Sequence, residues 1–68
     1  MSRTRYRIVV KGTMSDRLGA AFDGLRLEPL SGRTALVGEL ADDAQLYGIL
    51  LQLRDFGIEL VSVNAVDD

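Results

Sequence analysis

Residues 46–63 read LYGILLQLRDFGIELVSV, and the fold turns on the change of period inside this run. Leu46, Ile49, Leu50 and Leu53 recur at +3, +4 and +7, the spacing of one helix face. Just upstream, Asp42 with Gln45 three residues on makes a capping-box-like start. Gly57 is placed to stop the helix at its C′ position. Beyond it, Ile58 to Val66 is rich in β-branched residues and reads as a strand. The run is therefore a helix feeding a strand, and it carries more apolar residues than one helix face and one strand face need.

Working back from it, Arg33 to Leu40 reads as a strand that forms a hairpin with Leu25 to Leu30 across the turn Ser31-Gly32. Pro29 marks the earlier strand as an edge, because proline cannot donate to a ladder. Gly24 closes a short helix that Ser15 caps, with Asp16 in its first turn and Leu18, Ala21 and Phe22 on its inner face. Arg5 to Lys11 alternates with period two: Tyr6, Ile8 and Val10 form one face, and Arg5, Arg7, Val9 and Lys11 the other. The order is βαββαβ. In 68 residues it predicts a single α+β domain over residues 1–68, ferredoxin-like, with a four-stranded antiparallel sheet and two helices on one face.

Composition narrows the chemistry. With Cys 0 and His 0, a disulfide, a thiolate metal site and the commonest general base are all excluded. No nucleophile motif is present, and Asp42-Asp43 at a helix start point in different directions, so neither an enzyme, a metal nor a cofactor is expected. A chain this short buries only about 60% of its unfolded surface, and small domains commonly gain stability by associating. No run approaches the roughly 20 apolar residues of a membrane span, and no apolar segment follows the N-terminal charges, so a cytoplasmic protein is expected. Seven arginines against one lysine suggest a high-GC bacterial genome.

The surplus apolar residues point to a partner. In the last strand Ile58, Leu60 and Val66 share one parity and Val61, Val63 and Ala65 the other, whereas a sheet covered on one side alternates apolar with polar. With Val9, the second set predicts an interface on the helix-free face; valines exposed singly are the plainer alternative. On the second helix, Ala44, Tyr47, Gly48 and Leu51 form an outer stripe, and a close backbone approach would account for Gly48. A homo-oligomer, or an accessory subunit of a larger protein, is expected. Arg3, Arg5, Arg7 and Lys11 raise a nucleic-acid reading, but the single nearby aromatic, Tyr6, lies on the core parity. Cross-strand pairing of that basic row with Glu59, Asp67 and Asp68 is the expectation instead.

Two resemblances add to this. The run Gly38-Glu39-Leu40-Ala41-Asp42-Asp43-Ala44-Gln45-Leu46-Tyr47-Gly48-Ile49-Leu50, continued by Leu53-Arg54-Asp55-Phe56-Gly57-Ile58-Glu59-Leu60-Val61-Ser62-Val63, resembles a family of short uncharacterised bacterial proteins. Their pattern is G-x-apolar-x-D-Q-A-x-L-H-G-L-L, then R-D-L-G-L-x-L-x-S-V. The chain departs from it at Asp43 and Tyr47, where Gln and His stand in the pattern. That resemblance implies a shared fold and no activity. The step Asp16-Arg17-Leu18-Gly19 is similar to the D-R-P-G turn of ACT-type regulatory domains, with Leu18 in place of proline. That resemblance implies a small-metabolite, amino-acid-sensing loop at Lys11, Ser15, Asp16 and Gly19, as an alternative to the interaction module.

Overall fold

Alternation organises the first strand, and cross-strand pairing then assigns its faces. The computed structural model describes residues 3–22 and 24–66. Its elements run β1 (Thr4–Lys11), α1 (Asp16–Gly19), β2 (Arg26–Leu30), β3 (Arg33–Leu40), α2 (Asp43–Asp55) and β4 (Leu60–Val66). The four strands form one sheet in the order β2-β3-β1-β4, and every neighbouring pair is antiparallel. The molecule is an α+β fold, and β2 with its Pro29 lies at one edge as expected, with β4 at the other.

Ile8 pairs with Leu36 on one side and Val63 on the other, and Tyr6 pairs with Gly38 and Ala65. Paired residues share a face, so these define the packed side of the sheet. Ile8, Val10, Leu36 and Leu40 join Leu46, Ile49 and Leu53 of α2 and Phe22 from the segment after α1 in one buried cluster. Phe22 also meets Phe56 edge to face, with centroids 6.1 Å apart at 72°, a favoured aromatic geometry.

The ends of α2 follow their residues. Asp42 Oδ1 accepts from Gln45 N at 2.9 Å, and Gln45 Oε1 accepts from Ala41 N at 2.8 Å. The reciprocal cap thus reaches one residue further back than the usual capping box. At the other end Gly57 takes φ 74°, Gly57 N donates to Arg54 O and Ile58 N to Leu53 O, both at 2.9 Å. These are the two bonds of a Schellman motif, and they need a left-handed residue at that position.

Two expectations are corrected. The first helix is a single turn over Asp16–Gly19, followed by turns at Ala21, Phe22 and Leu25. Phe22 is buried, but Ala21 is exposed. The second correction concerns β4, where Val9 pairs with Ser62 while Val10 pairs with Leu60. Val61 is the extra residue of a β-bulge, and one extra residue reverses the parity of the strand. Val63 and Ala65 therefore share the packed face with Ile8 and Tyr6, whereas Ser62, Asn64 and Val66 lie on the open one. Val63 packs against the core.

Candidate interaction surface

The open face of the sheet does not present the apolar patch expected there. Of that set Val63 and Ala65 are not there, and Val9, which shares the open face with Arg7 and Lys11, is only 6% exposed. Its cross-strand neighbour Ala35 is fully buried. Around them Arg5, Arg7, Lys11, Arg26 and Arg33 occupy the same face, set by the pairings Arg7↔Val37, Arg26↔Val37 and Lys11↔Arg33. Acids are interspersed: Lys11 Nζ lies 3.0 Å from Glu59 and Arg26 Nη2 3.2 Å from Glu28. Exposed pairs like these contribute about 0–1 kcal/mol each. Glu59 thus meets the basic row as expected, and Asp67 and Asp68 lie outside the described residues. Tyr6 is on the packed side, so the cationic face has no aromatic platform on which a base could stack.

The larger exposed apolar side chains lie on α2 and at the start of β4: Tyr47 is 61% exposed, Leu51 57%, Phe56 51%, Leu60 45% and Val61 37%, with Leu30 at 38% beside Arg33 on the open face. On α2, Leu46, Ile49 and Leu53 are buried and Leu50 half-buried. A groove of about 340 Å³ lined by Leu50, Arg54, Ile58 and Leu60 shows that the Leu50–Arg54 flank of the helix is the one beside the β4 approach. The opposite flank, Gln45 and Gln52, lines a groove with Ala21 and Phe22. Tyr47 lies on the same flank, about 20° beyond Arg54 at about 100° per residue. Gly48 points to open space: a Cβ there would meet nothing within 4 Å, so no contact within the chain explains that glycine.

The loop after β1 is held by its own groups. Thr34, only 2% exposed, donates from Oγ1 to Gly12 O at 2.9 Å and accepts from Met14 N at 3.2 Å. Ser15 Oγ accepts from Leu18 N at 3.2 Å, capping α1. Lys11 reaches Glu59, Asp16 is exposed, and Gly19 is half-buried with Leu27 against the place a side chain would take. The cavity beside Lys11, Met14 and Leu18 measures about 40 Å³, against roughly 300–1,000 Å³ for small-molecule sites. Of the four loop residues Lys11 lines that cavity, and Ser15, Asp16 and Gly19 do not. Among the described residues no cluster of three or more carboxylates is placed to hold a metal ion, and no helix is long and apolar enough to cross a membrane.

The signal for the α2–β4 surface was present in Tyr47 and Leu51, whereas the part played by Leu50, Arg54 and Leu60 depends on where the helix lies over the sheet. No curated protein and no solved structure matches the chain. Residues 5–64 match a family described as a domain of unknown function, DUF8691, so the chain belongs to that family of small uncharacterised domains.

Proposed function

We propose that this chain is a non-enzymatic protein-interaction module of ferredoxin-like type that works by self-association, and that its contact surface is the α2–β4 side. The ferredoxin-like reading is supported by the strand order, 4-1-3-2 when read from the β4 edge, with one helix in each crossover. The observation that carries the functional reading is the exposure of Tyr47 and Leu51 on α2 and of Leu60 on β4, on the side where Leu50, Arg54, Ile58 and Leu60 line a groove, while the open sheet face carries Arg5, Arg7, Lys11, Arg26 and Arg33. Burying a large apolar side chain contributes about 1.5–3 kcal/mol, which a domain of this size gains most directly from a second surface. The cavity beside Lys11 and Met14 measures about 40 Å³, small for a metabolite, and we do not adopt the metabolite-sensing reading.

The test is the mass in solution by light scattering between about 1 and 100 µM, a range that brackets typical affinities, for the wild type and for Tyr47→Glu/Leu51→Glu. Both side chains are exposed, so the double variant is expected to fold normally and to remain at 7.4 kDa, while the wild type is heavier. A wild type that stays at 7.4 kDa throughout would overturn the proposal.

A further inference from the structure

The two edges of the sheet are built differently. β2 carries Arg26, Glu28 and Pro29, devices that discourage further strand pairing. β4 reads Leu-Val-Ser-Val-Asn-Ala-Val, with no charge and no proline, and it has no neighbour beyond β1. Its free hydrogen-bonding groups can be assigned. Lys11 N donates to Glu59 O at 2.9 Å, so Lys11 faces β4. Backbone groups alternate along a strand, so Arg5, Arg7 and Val9 face β4 as well, and their partners Val66, Asn64 and Ser62 face β1. Val63 and Ala65 therefore direct their N–H and C=O away from the sheet.

Above this edge runs the α2 flank already described. Asp43, Tyr47, Leu50 and Arg54 follow one another at +4, +3 and +4, the spacing of a straight seam between paired helices. The seam is self-complementary when reversed: an antiparallel copy sets Asp43 against Arg54, and Tyr47 against Leu50. Charge sits at both ends and apolar surface in the middle, so the pattern selects another copy of itself in the antiparallel sense.

We infer that two copies of this chain join through their β4 edges about a two-fold axis, making one continuous sheet of twice the four strands with the two α2 helices antiparallel beside each other. Val63 of one copy then exchanges backbone hydrogen bonds with Ala65 of the other. The proline and charges of β2 keep the outer edges from extending the sheet, so the assembly closes as a dimer. This inference rests on the self-association reading above and adds its geometry.

Ala65→Pro tests it. The proline removes only an outward N–H, which an edge strand tolerates, so the variant is expected to keep the wild-type circular dichroism spectrum and thermal transition yet weigh 7.4 kDa where the wild type weighs twice that. Amide exchange in the wild-type dimer gives a readout that needs no substitution: Val63 and Ala65 N–H are expected to be protected like Asn64 N–H, and Val63 to exchange at least about tenfold slower than in a dilute monomer or the proline variant. A folded Ala65→Pro that stays dimeric, or Val63 and Ala65 amides that exchange at open-edge rates in the dimer, would overturn edge pairing. Either result would leave the interaction-module reading in place, whereas a wild-type monomer would remove both.

Discussion

Gly38→Ala pits two opposed effects against each other, and the structure decides their sign. Gly38 lies in β3 opposite Tyr6 on the packed face, and its φ is not positive. In open space such a change stabilises by about 0.4–1 kcal/mol, because alanine has fewer unfolded conformations to lose. Here a Cβ would stand 2.7 Å from Gly24 O, 2.7 Å from Leu25 Cδ2 and 3.4 Å from Leu25 Cα. The leucine methyl can rotate away, but the carbonyl oxygen and Cα belong to the backbone of the chain entering β2. Overpacking that moves backbone costs about 1–3 kcal/mol, so the net expectation is a loss of ~1–2 kcal/mol. For a domain this small, 1 kcal/mol moves the melting temperature by about 4–8 °C. Urea unfolding at one fixed protein concentration, which holds association constant, should show a lower midpoint with an unchanged slope. A midpoint equal to or above that of the wild type would refute the close approach of β3 to the Gly24–Leu25 segment.

Other perturbations follow from the same contacts. Val63→Glu is expected to destabilise by roughly 2 kcal/mol or more, since Val63 packs on the core cluster and a carboxylate there loses both packing and solvation; unchanged stability in thermal unfolding would contradict the bulge-shifted register. Thr34→Val keeps the shape of a buried side chain but strips Gly12 O and Met14 N of their partner. A loss of about 1–3 kcal/mol is expected, with faster exchange of the Met14 amide; full retention of both would show that the loop is held by other contacts.

Local signals were legible wherever one residue or one short spacing carries them. Asp42, Gln45 and Gly57 name the two ends of α2 because caps are properties of a few consecutive residues. Leu46, Ile49 and Leu53 name its buried face because a helix repeats every 3.6 residues whatever it packs on. Pro29 places β2 at an edge, since a missing N–H has nowhere else to go. The sequence extends the first helix too far because Ala21 and Phe22 continue a helical spacing, although the chain there turns to bring Phe22 onto Phe56.

The α+β order of elements and the alternation of β1 were thus determined by the sequence alone. The surface that remains free was decided by tertiary structure. Strict alternation put Val63 and Ala65 on the open face, and one bulged residue, Val61, returned them to the packed face. A bulge is set by how β4 must bend to follow β1, a relation between distant segments that no local pattern encodes. The contrast between a protected β2 edge and an unprotected β4 edge arises in the same way. Residue types along a strand show what it can tolerate, but only the sheet order shows which strands are left without a neighbour.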